Sequence, residues 1–322
     1  MIPRLRRVPI ETDSSALVEA RIGENGACRQ VWGSTIPPSW QRGAETLRQT
    51  RGVVVVLGDV DSGKSTLCTY LANTCVQSGI QVRVIDGDIG QADIGPPTTI
   101  SSATVSKNIF NLHELGPKRS YFIGDTSPSS VPGKHIQSIV NLKQETSSTD
   151  QITIVNTDGW TKEERAVEHK HDLLKSVQPD LVLGLCNDHE LDPILQPQQA
   201  PTIRLDASKF AKTRTREERK KTREEGYRRF LQNHQTLDFK LNRIKLKMFN
   251  QPQQQRFDLS STHRGTIAGL LDDEGILLSI ARIVEIRNGI LHITTNLHES
   301  PATIELGAVV LSSRFEEVGF ES

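Results

Sequence analysis

Eight consecutive residues carry the clearest chemistry in the chain: Gly58-Asp59-Val60-Asp61-Ser62-Gly63-Lys64-Ser65. The pattern G-x-x-x-x-G-K-S follows an apolar run, VVVVL, and precedes a helix-like stretch, TLCTYLANTCV. In that setting it is a phosphate-binding loop. Glycines let backbone N–H groups curl around phosphate oxygens, and the following helix N-terminus adds a favourable dipole. Lys64 is placed for the β- and γ-phosphates and Ser65 for Mg²⁺. Gly58, Asp59, Asp61, Ser62, Gly63 and Thr66 complete the expected nucleotide contacts.

A second constellation, Asp86-Gly87-Asp88-Ile89-Gly90-Gln91, ends the next apolar run. A carboxylate there commonly holds Mg²⁺, directly or through water. Asp86 and Asp88 are therefore candidate metal groups, and Asp88 could also act as base toward an attacking hydroxyl. The plain alternative is a glycine-rich turn with solvated aspartates.

The stretch 209–229, KFAKTRTREERKKTREEGYRR, holds ten Lys/Arg and four Glu. As a helix it forms some i,i+4 pairs, such as Glu224–Arg228. Arg216, Arg219 and Arg223 share a face with no acid three or four residues away, and Lys212 extends the stripe. Unpaired like charges on one face suit an anion. Arginines on a mobile helix over a phosphate loop would also stabilise charge in phosphoryl transfer. Trp160, in Thr157-Asp158-Gly159-Trp160, has two open readings, a platform for base stacking or a packed core side chain. His113 and His135 read as isolated surface or core residues.

These groups need a scaffold. Apolar, β-branched runs recur at 81–86, 121–125, 152–156, 180–185 and 202–206, several of them separated by helix-length stretches. The clearest helix is 162–177. Such alternation predicts an α/β fold, a P-loop-type parallel sheet with helices on both faces. Ligands gather at the carboxyl ends of such strands, which here are Asp86, Asp125, Asn156, Asn187 and Asp206. Past residue 236 the alternation stops, and the turns DDEG and RNG suit hairpins. The expected organisation is an N-terminal segment 1–45, a P-loop domain 46–236 with an Arg-rich lid at 209–229, and a small antiparallel β domain 237–322.

The 322 residues carry no net charge, so bulk charge says nothing about nucleic acid. No apolar run approaches the ~20 residues that cross a bilayer. No apolar segment follows the basic MIPRLRRVPIE, so neither a signal peptide nor membrane association is expected. Cys28, Cys68, Cys75 and Cys186 lack metal spacing and suit buried thiols in a reducing cytoplasm.

Taken in order, GDVDSGKST, DGDIGQADIGPP, FIGDTSP, NTDGW and the Arg-rich helix resemble the polynucleotide 5′-hydroxyl kinases. That family includes the kinase subunit of the eukaryotic pre-mRNA 3′-end cleavage factor, the ribosomal-RNA-processing kinases and archaeal relatives. The resemblance covers residues 38–235, and the compact length is like that of the archaeal members. It implies Mg²⁺-dependent transfer of the γ-phosphate of ATP, or another NTP, to the 5′-hydroxyl of RNA or DNA. By position it makes Asp88 the catalytic carboxylate of a motif that Gln91 completes. Arg214 and Arg219 become paired lid arginines, and Trp160 a nucleic-acid contact. Thr126 matches a substrate clasp loosely. Gln91, Thr126, Trp160 and Arg223 are thus the candidate nucleic-acid residues, and Lys64, Asp88, Arg214, Arg216 and Arg219 the candidate catalytic ones. Protein partners in RNA processing fit the same family. The competing reading is an NTP-binding scaffold of such a complex. The presence of Lys64, Asp88 and the lid arginines together favours the kinase.

Overall fold

In the computed structural model, the structure describes residues 17–21, 27–31, 35–145, 151–196, 199–249 and 264–318. A short antiparallel pair, β1 (Leu17–Arg21) and β2 (Ala27–Val31), comes first. Most of the expected N-terminal segment and part of the expected C-terminal domain lie outside the described residues.

The main sheet has seven strands: β3 (Gly52–Gly58), β4 (Gln81–Asp86), β5 (Thr99–Val105), β6 (Arg119–Phe122), β7 (Gln151–Asn156), β8 (Leu181–Leu185) and β9 (Thr202–Leu205). Their order is β6-β5-β4-β7-β3-β8-β9. The five from β4 to β9 run parallel. The expected P-loop-type parallel sheet is thus borne out as a parallel-rich one, with antiparallel β5 and β6 pairings added at one edge. The sequence TISSATV of β5 is weakly apolar and carries no strand signal of the VVVVL kind.

Alternation along β3 sends Val54 and Val56 to one face and Val55 and Leu57 to the other. On the first face pack α1 (Pro38–Thr50) and α2 (Lys64–Gln77), through Trp40, Leu47, Leu67 and Leu71. On the second pack α3 (Pro132–Gln144), α4 (Glu164–Val177) and the single turn α5 (Asp192–Leu195). A boundary at residue 45 would cut α1. Trp40 is almost wholly buried and its indole N–H donates to the Asp206 carbonyl at 2.8 Å, so this helix belongs to the main sheet.

The second sheet joins β10 (Gln235–Lys240), β11 (Lys245–Lys247), β12 (Thr266–Leu271), β13 (Leu277–Arg287), β14 (Ile290–Thr295) and β15 (Thr303–Val310), in the order β10-β14-β13-β12-β15-β11. It is antiparallel except for β11 against β15. Asn288 and Gly289, both at positive φ, make the two-residue hairpin expected at RNG. Ile267, Leu271 and Ile280 of this sheet share a core with Phe122 of β6 and with Tyr227 and Leu231, at the end of α6 (Arg216–Phe230). The last helix is thereby wedged between the two sheets. Among the described residues no helix is long and apolar enough to cross a membrane.

Candidate functional site

The loop between β3 and α2 has the backbone its sequence demands. Gly63 sits at φ 99°, where side chains are rarely tolerated, and Asp61 at φ 60°. A Cβ on Gly58 would lie 2.5 Å from the Ser62 hydroxyl and 3.0 Å from the Leu185 carbonyl. No side chain caps α2, which leaves its first N–H groups open to an anion. The Lys64 ammonium is buried and donates to the carbonyls of Gly58 at 3.0 Å and Asp59 at 2.8 Å. Burial lowers its pKa, and the nearby Asp88 carboxylate opposes that. The Ser62 hydroxyl is buried without a hydrogen-bond partner among the described residues. These orphan donors fit a phosphate chain. Ser65 stands one residue inside the helix and Thr66 is exposed. The Asp59 carboxylate accepts from Val60 N at 2.7 Å and pairs with Lys162 at 2.6 Å.

The two carboxylates of β4's end differ. Asp86 is buried and accepts from Asp93 N (2.6 Å), Asn156 Nδ2 (3.0 Å), Ile94 N (3.1 Å) and Asp88 N (3.4 Å). Burial, then Asp93 and Asp88, raise its pKa. Both its oxygens are taken, so Asp86 organises the 86–94 turn. Asp88 uses one oxygen, accepting from Gln91 N at 2.9 Å and Gly90 N at 3.2 Å. Its other oxygen has no hydrogen-bond partner among the described residues. Burial pushes the Asp88 carboxyl up to about 6, against the pull of Lys64. That leaves a carboxylate near the phosphate loop, ionised at neutral pH and basic enough to take a proton.

Two further loops close on this turn and on the phosphate loop. A Cβ on Gly90 would lie 2.7 Å from the Thr126 carbonyl, and one on Gly159 would lie 2.6 Å from Val60 N. Thr126 therefore abuts the Asp88 turn, and Trp160 stands beside the phosphate loop. Trp160 is half-buried, with its indole N–H on Glu163 at 3.2 Å and its ring tilted against His169, 5.7 Å between centroids. Behind it lies a buried polar cluster that the sequence did not reveal. Asp158 pairs with Lys170 at 2.6 Å, and His135 Nε2 bonds the Gly87 carbonyl at 2.8 Å. Burial alone would raise the Asp158 pKa, but Lys170 and His135 hold it well below the usual carboxylate range. Burial lowers the His169 imidazole to about 4. His135, Asp158 and His169 bring their ligand atoms within 4.8 Å of one another, but the Lys170 ammonium already neutralises the one carboxylate. Its members come from α3, the β7 end and α4, so no local spacing could announce it.

The Arg-rich segment becomes a helix only from Arg216, capped by Thr215 and Glu218 in a reciprocal capping box. Just before it, Arg214 donates from its backbone N to Asp61 at 2.8 Å and from Nε at 3.2 Å. Arg219 Nη1 reaches the same carboxylate at 3.1 Å and the Arg214 carbonyl at 2.6 Å. Gln91, expected to contact nucleic acid, has its amide engaged with this segment: Oε1 accepts from Arg214 Nη1 at 3.3 Å, and Nε2 donates to the Arg219 carbonyl at 3.3 Å. The unpaired stripe is corrected at two places. Arg223 makes a two-pronged pair with Glu317, both contacts 2.6 Å, and Lys212 pairs with Glu218 at 2.9 Å. Arg216 is exposed. Asn187 and Asp206, also strand-end residues, serve structure, bonding Ala207 N and Ser39.

A parallel-rich sheet with this loop at the end of β3 and a carboxylate turn at the end of β4 defines a P-loop NTPase-type protein, with the nucleotide-binding loop of that class. Residues 58–233, more than half of the chain, match the family described as mRNA cleavage and polyadenylation factor CLP1 P-loop, and the chain belongs to that family. Its relatives include proteins called polyribonucleotide 5′-hydroxyl-kinase. That of Pyrococcus abyssi is 36% identical over 62% of this chain and 56% of its own length. That of Methanocaldococcus jannaschii is 35% identical over 59% and 53%. The chain spans about half the length of the curated relatives it matches. Among solved structures, Clp1p in complex with a fragment of Pcf11p superposes with a TM-score of 0.67, covering 90% of this chain and 82% of that one at 12% identity. That likeness shows a shared fold. The membership expected from the motifs is borne out.

Proposed function

We propose that the protein transfers the γ-phosphate of ATP, or of another NTP, to the 5′-hydroxyl of RNA or DNA ends. The observation that carries this reading is the convergence of Lys64, the half-open Asp88 carboxylate and the Arg214–Arg219 pair on one phosphate loop. Relatives named as 5′-hydroxyl-kinases support it.

The loop N–H groups and the Ser62 hydroxyl bind and orient the triphosphate. Lys64, already on the loop carbonyls, exchanges them for phosphate oxygens and neutralises charge there. Asp88 takes the proton of the attacking 5′-hydroxyl on its unbonded oxygen. Arg214 and Arg219 offer guanidinium N–H groups to the charge that spreads over the transferred group. Bound Mg²⁺ would neutralise phosphate oxygens, held by Ser65 and, through water, by Asp86 and Asp88. Trp160 and Thr126 flank the acceptor side, Trp160 by stacking. Gln91 serves the lid. Free, buried Cys68, Cys75 and Cys186 accord with a cytoplasmic setting.

Transfer of label from ATP to 5′-hydroxyl RNA and DNA oligonucleotides tests the reading. Lys64→Ala should abolish transfer while the protein stays folded. A wild-type protein that binds ATP and transfers nothing would leave the scaffold reading instead.

A further inference from the structure

We infer that Asp61, inside the phosphate loop, is a positioning residue for the lid arginines and not a contact for the nucleotide. The inference rests on the kinase reading above. Three observations carry it.

The first is the contact set. Both Asp61 oxygens are engaged by the lid: Oδ2 by Arg214 N at 2.8 Å and Arg219 Nη1 at 3.1 Å, Oδ1 by Arg214 Nε at 3.2 Å. The Asp61 side chain is 5% exposed, so water does not screen it much, whereas Arg214 and Arg219 remain 39% and 30% exposed. The second is backbone. Asp61 sits at φ 60°, in the left-handed region that Asp tolerates better than most residues. That conformation is part of a curled loop, so the carboxylate is fixed to the phosphate cradle and the arginines are fixed to it. The third is charge. A carboxylate turned toward a triphosphate would repel it. Here its charge is cancelled by one of two guanidinium groups, and the other leaves a net positive charge at the loop.

The donors that remain are the useful ones. Arg214 Nη2 and Arg219 Nε and Nη2 have no hydrogen-bond partner among the described residues. Asp61 thus holds one edge of each guanidinium and leaves other N–H groups for an anion. Holding two rotamer-rich side chains in place before substrate arrives removes an ordering cost from the transferring complex. The rest of the lid does not depend on this contact, because Arg223 and Arg228 are anchored on Glu317 and Glu316. Loss of Asp61 should therefore release only the start of the lid.

The test uses full-length protein with Asp61→Asn, Asp61→Glu, Arg219→Ala and the double variant Asp61→Asn/Arg219→Ala. Asp61→Asn should lower kcat about 10-fold or more, with KM for ATP within about 3-fold of wild type. The double variant should be no slower than Arg219→Ala alone, and Asp61→Glu, which keeps the charge, should recover part of the rate. Without nucleotide, trypsin should cut after Arg214 and Arg219 several-fold faster in Asp61→Asn, with cleavage elsewhere unchanged. A raised KM at unchanged kcat would make Asp61 a nucleotide contact and overturn the inference. So would additive losses in the double variant, or unaltered protection from trypsin. If the wild-type protein transfers no phosphate, the kinase reading fails. The trypsin comparison still decides whether Asp61 holds the lid.

Discussion

The two ends of the lid use the same residue type for opposite ends. At the start, Arg214 and Arg219 share one carboxylate and keep N–H groups to offer. Two turns on, Arg223 is fully matched by Glu317, whose backbone N–H is also held by Glu224, while Arg228 reaches Glu316 at 3.3 Å. The first end is tied to the phosphate loop and the second to the strand-end of the C-terminal sheet. An arginine with a bidentate carboxylate of its own is structural, whereas two arginines sharing one carboxylate retain capacity for an anion. On the kinase reading proposed above, the helix would work as a lever with a fixed root and a tip at the phosphate loop.

The sharpest way to break this contrast is at the tip. Arg219→Ala should lower kcat by about 10³-fold, with ATP binding weakened much less. Arg219→Lys should rescue poorly, because a point charge cannot hold Asp61 and a phosphoryl oxygen with a planar fork. Steady-state kinetics with ATP titrated at saturating oligonucleotide separates the two effects. Unchanged kcat would place the lid tip outside catalysis.

Asp88 comes next. Asp88→Asn keeps the shape of the turn and removes the proton acceptor, so kcat should fall by about 10²-fold with nucleotide binding largely retained. If Asp86→Asn is the crippling change and Asp88→Asn is mild, the two roles are exchanged. The pH dependence has a definite sign. A base pushed up to about 6 is lost by protonation as pH falls, so kcat/KM should decline below about pH 6. That limb should vanish in Asp88→Asn. Stability runs the other way. The folded pKa lies above the ordinary 3.8, so the native state binds the proton more tightly, and stability is lost as pH rises from 3.8 through about 6. Asp88→Asn should therefore melt no lower than wild type at pH 7.

The contrast between the lid's ends also marks where the sequence could be read. The phosphate loop, the Asp86–Asp88 turn and the Trp160 turn are contiguous, and their chemistry depends on backbone shape that short spacing encodes. The alternation of apolar strands and helices likewise exposed the main sheet apart from β5. Partners far along the chain were hidden. Arg223 reads as unpaired because its acid, Glu317, arrives from 94 residues further along the chain, past the end of β15. The same holds for Asp61, which reads as one more loop residue until Arg214 is folded against it, and for the His135–Asp158–His169 cluster assembled from three elements. β5 was missed for a different reason. TISSATV buries Ser and Thr that bond one another, Thr99 to Ser101 at 3.2 Å, and Ser101 also bonds Ser120 of β6 at 2.8 Å, so its burial leaves no apolar pattern.

The smallest expected effect tests the lid's root. Glu317→Gln removes the charge that matches Arg223 but can still accept from it. Arg223 lies largely buried between α6 and the C-terminal segment, with Tyr227 beneath it and Glu317 also within 3.4 Å of the Tyr227 hydroxyl. Weakening a partly buried pair of this kind should lower stability by about 1–3 kcal/mol, read as a lower Tm. A fixed root matters to the tip only through its orientation, so kcat should fall by less than about 10-fold, and KM for ATP should hold. Glu217→Ala, on the exposed face of the same helix, should change neither quantity and controls for general effects of altered charge on α6. The comparison breaks if Glu317→Gln costs as much rate as Arg219→Ala without loss of stability. Arg223 would then be acting at the phosphates and not at the root.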